Sequence, residues 1–264
     1  MYSLNAVPLD NATYGWVLLD ASAPLSQHGR GLTTLRLPGR DGVLALPATF
    51  DPVPVSLLVE TPREHLETLL EVAASATALT RTADSSRTAA LEFVAAPLVG
   101  FGDGDELVEA RLVYRLPGVF WRDTTETTSS AVTLSAASVD VDVMPDLSAP
   151  VQDALVRVKG AVTGLRVTDE STGAWFDYSG TLTSSEYLRF DSATGRAWVT
   201  SSDVWKGGTE VSGAIDLDGP RGVFEIGPVR NPADPTDRTA TLVVTTATRS
   251  SASVRVRGRR AYIV

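Results

Sequence analysis

The sequence predicts a mainly β protein with two domains and one α-helix. Apolar and polar residues alternate along most of the chain, as in Val53 to Val59, which is the pattern of strands with one buried face. The stretch Leu182 to Val199 contains two such strands around a turn. One segment after Thr61 has the spacing of an amphipathic helix instead.

Length and composition favour two domains. A chain of 264 residues with 43% hydrophobic and 21% charged residues is long enough for two cores of roughly 100 to 150 residues each. Residues 124–138 are rich in Thr, Ser and Ala, a change of composition typical of a linker or an edge strand. We therefore expect an N-terminal domain over residues 1–125 and a C-terminal domain over residues 126–264.

The first domain is predicted to be β-sandwich-like with one helix. The segment Pro38–Gly42 contains an Asp-Gly pair between apolar runs, which predicts a β-turn joining two strands. Further strands are predicted over Leu91–Val94 and Leu107–Leu116, on either side of the acidic, glycine-rich residues 100–106.

The helix is predicted from its N-terminal signals. Thr61 is suited to cap it, Pro62 fits the first helical position, and Glu64 completes a T-x-x-E capping box. Apolar residues then recur at helical spacing and form one face: Leu66, Leu69, Leu70 and Ala73. We expect the helix to end between Ala76 and Thr80.

The second domain is predicted to be β throughout. From residue 154 onward, strand-like segments are separated at short intervals by Gly, Pro, Asp or Asn, as in a sandwich or barrel. In the hairpin Leu182–Val199, alternation places Leu188 and Phe190 on one face and Tyr187 and Arg189 on the other.

Charge and cysteine content exclude several classes of protein. The 23 Lys and Arg against 32 Asp and Glu give a net charge of −9, which argues against a protein that coats nucleic acid or anionic lipid. Without cysteine there is no disulfide, thiolate zinc site or cysteine nucleophile. The N-terminus lacks a secretory signal pattern, and no apolar run approaches the ~20 residues of a membrane helix, so we expect a soluble, unprocessed protein.

Motifs for catalysis are also missing. The two histidines, His28 and His65, belong to no metal-binding motif, and the acidic loops 100–106 and 231–237 lack the order of a calcium loop. No nucleophile elbow, P-loop or dinucleotide motif is present. We therefore predict no enzyme, no catalytic residue, no cofactor and no metal site. A polysaccharide-degrading enzyme, which would need paired acids in a cleft, is a remaining alternative.

Aromatic residues concentrate in the second domain and are candidate contacts for a saccharide or a protein partner. Exposed rings stack on sugars in many β modules, which makes Trp175, Trp198 and Trp205 the residues to consider. Trp175 and Trp198 lie within alternating strands, however. We therefore favour packing in the core or at an interface for the tryptophans, and the core for Trp198.

The C-terminal segment is basic. Arg255 and Arg257 share one strand face, and no acidic residue follows Arg249. Such a pair is suited to carboxylates on a neighbouring subunit of this acidic protein. An exposed basic edge that resists aggregation explains the pattern equally well.

Two blocks of the sequence follow one another in a recognisable order. The first is the turn Pro38–Gly42, a strand and the helix; the second is a strand over Ala154–Gly160, the segment Val167–Tyr178 and the hairpin Leu182–Val199. In this order, over nearly its whole length, the chain resembles the distal tail protein (Dit) family of long-tailed bacteriophages. It departs from that family at Asp146–Pro150, where no glycine precedes the first strand of the second domain.

The resemblance implies a structural virion protein at the distal end of the phage tail. Proteins of this family form a hexameric ring that joins the tail tube to the tail-tip hub. The N-terminal domain would build the ring. The C-terminal domain would be a galectin-like sandwich that projects outward and carries peripheral or receptor-binding proteins.

The implied partners follow from that position in the tail. They are further copies of the chain, the tail tube protein and the tail-tip hub or tail-associated protein, with tape measure and receptor-binding proteins as additional candidates. DNA would pass through the ring lumen without specific binding, and no membrane is involved.

The alternative function is a carbohydrate-binding module that contacts the host surface through Trp175, Trp198 or Trp205. The second domain is compact, without a long insertion between its strands that would resemble an added sugar-binding module. We therefore favour the structural role.

Overall fold

The computed structural model describes residues 2–21, 30–31, 34–35, 44–45, 49–52, 54–81, 84–101 and 106–263. The described chain is mainly antiparallel β, as predicted, and it divides into two compact units. One unit is Met1–Thr124 with Ile263–Val264, and the other is Thr125–Tyr262. No helix within the described ranges is long and apolar enough to cross a membrane.

The described part of the first unit contains fourteen strands and one α-helix. The strands are β1 (Tyr2–Leu4), β2 (Val7–Pro8), β3 (Val17–Ala21), β4 (Arg30–Gly31), β5 (Thr34–Leu35), β6 (Leu44–Ala45), β7 (Thr49–Phe50), β8 (Pro54–Pro62), β9 (Ala78–Arg81), β10 (Asp84–Ala90), β11 (Glu92–Ala95), β12 (Leu98–Phe101), β13 (Leu107–Arg115) and β14 (Trp121–Asp123). The helix α1 spans Leu66–Ser75 and follows a 3-10 turn at Arg63–His65.

Two sheets form the body of the first unit. One has the strand order β2-β1-β9-β10-β14, and the other has the order β11-β13-β8-β3, with β12 also paired to β13. The central strands β8 and β13 pair along their whole length. Alternate residues of both are fully buried, including Leu57 and Leu112. The strand predicted over Leu107–Leu116 is therefore confirmed as β13.

Several sequence predictions fall outside the described residues: the turn at Pro38–Gly42, His28, and residues 102–105 of the acidic loop. The strands on either side of that turn are described. β5 pairs antiparallel with β6, with Thr34 opposite Ala45.

The helix begins later than the sequence predicts. Thr61 and Pro62 still belong to β8, because both pair with β13, and the 3-10 turn follows them directly. The Thr61 hydroxyl donates to the Pro62 carbonyl at 3.1 Å, and no side chain caps the turn or the helix. The predicted capping box at Thr61 and Glu64 is therefore wrong. Thr61 pairs with Val108 as part of β8, and the 3-10 turn Arg63–His65 separates it from the start of α1 at Leu66.

The apolar face of α1 packs as the spacing predicts. Leu69 and Ala73 are fully buried, and the helix ends at Ser75, just before the predicted interval. The Tyr114 hydroxyl of β13 donates to the Ala73 carbonyl at 3.1 Å, which ties the helix to the sheet. Burial raises the pKa of Tyr114, so this hydroxyl remains a donor.

The second unit contains thirteen strands among its described residues and no α-helix. They are β15 (Thr127–Thr128), β16 (Val132–Thr133), β17 (Ser138–Pro145), β18 (Leu155–Asp169), β19 (Trp175–Leu182), β20 (Tyr187–Asp191), β21 (Arg196–Thr200), β22 (Thr209–Glu210), β23 (Ile215–Asp218), β24 (Val229–Arg230), β25 (Arg238–Thr245), β26 (Thr248–Gly258) and β27 (Ala261–Tyr262). A 3-10 turn spans Ser212–Ala214.

The longest strand, β18, belongs to both layers of this unit. Residues 155–159 pair with β20 and β26, whereas residues 166–168 pair with β19 and β25. Gly160 lies at the change of partners with a φ of +101°, and a Cβ added there would be 2.5 Å from the Ser251 carbonyl oxygen. Only glycine fits this conformation and this close approach.

The two layers face each other across three phenylalanines. Phe176 of β19 stacks on Phe190 of β20 with ring centres 4.0 Å apart, and Phe224 meets both rings edge-on. All three are essentially fully buried. The second unit is therefore a two-layer β-sandwich. The predicted hairpin is confirmed as β20 and β21, with Phe190 on its core face.

A buried carboxylate fixes the end of β18. One oxygen of Asp169 accepts hydrogen bonds from the backbone N–H and the hydroxyl of Thr172, both at 2.8 Å, and the other accepts from the N–H of Gly227 at 3.1 Å. Burial raises the pKa of Asp169 to about 6, and the negative charge of Glu225 adds to this, although the hydrogen bonds oppose it.

Replacing Gly160 tests the bend in β18. We expect Gly160→Ala to lower the free energy of unfolding by about 2 to 4 kcal/mol, because it combines a disfavoured φ with a backbone clash. Gly173→Ala is the matched control: its φ is +74°, but nothing lies within 4 Å of the added Cβ, so about 1 kcal/mol is expected. Denaturant unfolding of both variants measures the difference, and equal losses would contradict the close approach.

Asp169 predicts a pH dependence of stability. Because its folded pKa lies above the unfolded value near 3.8, the folded chain binds the proton more tightly, and stability is lost as pH rises through the window from about 4 to 6. The stability advantage of the wild type over Asp169→Asn should therefore shrink by about 2 kcal/mol between pH 4 and pH 7.

Unfolding curves at both pH values provide the measurement for Asp169. Asp234→Asn is the control, because hydrogen bonds from Thr236 lower the pKa of that exposed carboxyl. The gap between the wild type and Asp234→Asn should not shrink over the same range. A pH-independent gap for Asp169→Asn would refute the raised pKa.

Candidate functional site

Basic side chains gather on the outer face of the sheet formed by β26, β18, β20 and β21. Val156 points into the core, so its neighbour Arg157 points to the opposite face. In the strand register, Arg157 lies between Arg255 of β26 and Arg189 of β20. We name this surface the cationic face; its members are Arg157, Lys159, Arg189, Arg255 and Arg257, with the rings of Tyr187, Trp198 and Trp205.

Aromatic rings offset the repulsion between these arginines. Like charges at directly opposite strand positions destabilise a sheet. The guanidinium of Arg157 lies 4.4 Å from the ring centre of Trp205 and 5.2 Å from that of Tyr187, and the guanidinium of Arg189 lies 4.4 Å from that of Trp198. Each such cation-π contact contributes about 0.5 to 2 kcal/mol.

The loop 201–208, between β21 and β22, is fastened to the cationic face. Asp203 Oδ1 lies 2.6 Å from Nη1 of Arg157, whose side chain is only 4% exposed. The carbonyl of Trp205 accepts a hydrogen bond from Nη1 of Arg189. Burial lowers the pKa of Arg189. One ion pair, one hydrogen bond and the contacts of Arg157 and Arg257 with the Trp205 ring therefore hold the loop against the sheet.

The two arginines predicted from the sequence differ in their contacts. Arg257 forms an ion pair with Glu126 of its own chain and lies 5.9 Å from the ring centre of Trp205. Arg255 makes no ion pair or hydrogen bond with any residue that the structure describes. Arg255 is therefore the better candidate for contact with another molecule.

Trp198 does not lie in the core. Ala197 takes the buried side of β21, and Trp198 projects to the outer face opposite Arg189, where it is half-buried. The core packing favoured from the sequence is wrong for this residue. Alternation fixes only that neighbouring residues lie on opposite faces of a strand, and here Ala197, which pairs with Phe190, takes the buried face.

The third tryptophan lies apart from the cationic face. Trp175 is half-buried on β19, and its ring covers the guanidinium of Arg166 at 3.8 Å. Arg166 also pairs with Asp177 at 3.1 Å beside an open cavity of about 590 Å³. Burial raises the pKa of Asp177, Arg166 opposes the shift, and Asp216 adds to it.

The structure brings together four of the five predicted contact residues and separates the fifth. Trp198, Trp205, Arg255 and Arg257 share the cationic face, whereas Trp175 lies beside the cavity. Each tryptophan is half-buried, and each has a guanidinium against its ring.

His65, one of the two histidines without a metal-binding motif, lies in the 3-10 turn before α1. Its ring meets Tyr14 edge-on at 5.6 Å, and its Nε2 lies 3.7 Å from a Glu64 oxygen. Over the described ranges, no three His, Asp or Glu side chains converge in a way that could hold a metal ion.

Comparison with known proteins shows that this chain is similar to solved structures. The sequence matches no family model and no curated protein. The crystal structure of the Dit protein of phage SPP1, described as a paradigm of the hub adsorption apparatus of phages that infect Gram-positive bacteria, aligns with a TM-score of 0.56 at 13% identity. The alignment covers 94% of each chain. The chain has the Dit fold.

Two structures of the phage P2 baseplate in its activated conformation, with Ca and with Sr, align more weakly. Their TM-score is 0.36 at 10% identity, covering 92% of this chain and 90% of theirs. This level does not establish a common fold. The assignment of the Dit fold therefore depends on the SPP1 protein.

Within the Dit fold, the residues that organise the cationic face were not singled out by the sequence. Alternation placed Arg189 on the face opposite Leu188 and Phe190, whereas no face was predicted for Arg157. Alternation did not reveal that β18 and β20 are neighbours. Asp203 lies in a loop, where the sequence carries no signal of its partner.

Trp198 provides a test of the outer-face assignment. Trp198→Ala should lower the free energy of unfolding by about 1 to 2 kcal/mol, because it removes a half-buried ring and a cation-π contact. Phe190→Ala, at the next position along β20 from the Arg189 that faces Trp198 and fully buried, should cost about 3 to 5 kcal/mol. Equal costs in denaturant unfolding would place Trp198 in the core instead.

Proposed function

We propose that this protein is a structural protein of a phage tail. It forms a ring of six copies at the distal end of the tail and joins the tail tube to the tail-tip hub. The observation that carries the proposal is the likeness to the SPP1 Dit protein, which extends over 94% of both chains and therefore includes both compact units.

The two units would have different roles in the ring. Residues 1–125 would build it, and residues 126–264 would project outward as a galectin-like sandwich that carries peripheral or receptor-binding proteins. A closed ring requires a contact in which two different surfaces of neighbouring copies meet. Arg255, which has no ion-pair partner among the described residues, lies on a protein of net charge −9 and is suited to such a contact or to an acidic partner.

The structural role is favoured over the two alternatives. A carbohydrate-binding module would need exposed tryptophan rings, but Trp175, Trp198 and Trp205 are each half-buried with a guanidinium against the ring. An enzyme would need reactive groups in a cavity, but the charged residues Arg166 and Asp177 at the open cavity pair with each other and neutralise each other's charge. We therefore propose a protein without catalytic activity.

Oligomer mass and images test the ring. Native mass spectrometry of the purified protein, alone and with the tail tube and hub proteins, should give a species six times the mass of the 28.0 kDa chain. Negative-stain images should show six-fold rings. A strict monomer that also fails to bind tail tube and hub proteins would refute the proposal, because a ring that closes only in the virion would still bind those neighbours.

A further inference from the structure

A small pocket opens on the cationic face of the second unit. It has a volume of about 170 Å³ and lies between β18, β26 and the loop 201–208. Its lining residues are Ala131, Arg157, Lys159, Tyr187, Asp203, Ser253 and Arg255. Three of them are cations and one is an anion, in a chain that carries an excess of acids overall.

The positive charges of the pocket are not balanced by the described chain. Asp203 pairs with Arg157. Lys159 and Arg255 form no ion pair with any described residue, although Arg255 lies directly opposite Arg157 in the sheet. Like charges at such positions cost stability, so an occupant of opposite charge would relieve a repulsion that the fold itself creates.

Arg157 is held in a fixed orientation at the pocket. Its side chain is 4% exposed, with the rings of Trp205 and Tyr187 at 4.4 and 5.2 Å. The Asp203 carboxylate approaches Nη1 at 2.6 Å but off the N–H directions, so Nη1 has no hydrogen-bond acceptor among the described residues. A buried donor without an acceptor costs free energy that a ligand oxygen can recover.

The carboxylate of Asp203 lies at the mouth of the pocket, where it would compete with a bound anion for Arg157. Its side chain is 59% exposed, and it belongs to a loop whose last two residues, Gly207 and Gly208, both have positive φ. A carboxylate of the chain itself therefore reaches the buried guanidinium from the solvent side. An anion from solution would take the same approach.

We propose that this pocket binds a phosphate-type oxyanion. The ligand accepts hydrogen bonds from Arg157, pairs with Lys159 and Arg255, and competes with the carboxylate of Asp203. Guanidinium groups bind phosphate through directed, charge-assisted hydrogen bonds, and a lysine adds a point charge. The site does not depend on ring formation and is independent of the proposed function.

The charge arrangement favours phosphate over a carboxylate. The carboxylate of Asp203 pairs with Arg157 alone, and Lys159 and Arg255 have no ion-pair partner in the part of the chain that the structure describes. A carboxylate has two oxygens in one plane. A phosphate has oxygens in tetrahedral directions and up to two negative charges, so it can contact cations from β18 and β26 together.

Calorimetric titration of the full chain with inorganic phosphate tests the site. Ionic strength is held constant, because screening weakens the cationic face. Asp203→Asn should bind phosphate at least about fivefold more tightly than the wild type, since it removes a competing negative charge. Arg255→Gln and Lys159→Gln should each bind at least about fivefold more weakly. Acetate should bind the wild type at least about fivefold more weakly than phosphate does.

Matched controls separate the pocket from general charge effects. Asp140→Asn removes an exposed carboxylate of β17, and Arg115→Gln removes an exposed arginine of the first unit; neither residue lines the pocket. Both should bind phosphate as the wild type does.

NMR spectra of the wild type give the location of the site. When phosphate is added, the backbone amide signals of residues 157–159 and 253–255 should shift.

The outcomes decide the proposal. Tighter binding by Asp203→Asn with weaker binding by Arg255→Gln supports the site. Unchanged or weaker binding by Asp203→Asn with an unaltered melting temperature, or equal effects of the control variants, overturns it. Equal binding of acetate overturns the assignment to phosphate. If Asp203→Asn is destabilised, Arg255→Gln and Lys159→Gln decide, because neither of these side chains forms an ion pair with a described residue, so their replacement should leave the fold intact.

Discussion

The close approach of Gly160 to the backbone of Ser251 is the constraint on which the second unit depends. Without a side chain at this position, β18 changes partners and contributes to both layers of the sandwich. The two layers then bring Phe176 against Phe190, and the core forms between them. The same strand carries Arg157 on its outer face, so the bend positions the cationic face as well as the core.

Repulsion between the positive charges of the cationic face destabilises the fold, and contacts with neighbouring side chains offset this cost. Three arginines on adjacent strands repel one another, yet Arg157 and Arg189 are both buried. Trp198, Trp205 and the loop 201–208 supply ring faces, a carbonyl and one carboxylate. A sheet surface built from apolar residues would be simpler to stabilise. The phosphate site proposed above uses three of these charges, those of Arg157, Lys159 and Arg255.

The sequence predicted the individual strands and the helix better than it predicted which strands pair and which of their faces are buried. The hairpin β20 and β21, the strand β13 and the apolar face of α1 follow from residue periodicity, because each depends on local alternation. The cap at Thr61 failed because pairing of β8 with β13 extends the strand through Pro62. Core packing of Trp198 failed because the face of a strand that is buried depends on the opposing sheet.

The sequence alone determined the mainly β class, one amphipathic helix, and the alternation that separates Arg189 from Leu188 and Phe190. These properties arise from backbone geometry and residue periodicity, which act over a few residues. Only the tertiary structure decided that β18, β20 and β26 are adjacent, that Trp198 lies outside the core, and that Asp203 reaches Arg157. Contacts between residues distant in the chain depend on how sheets pair and pack, and no local pattern encodes them.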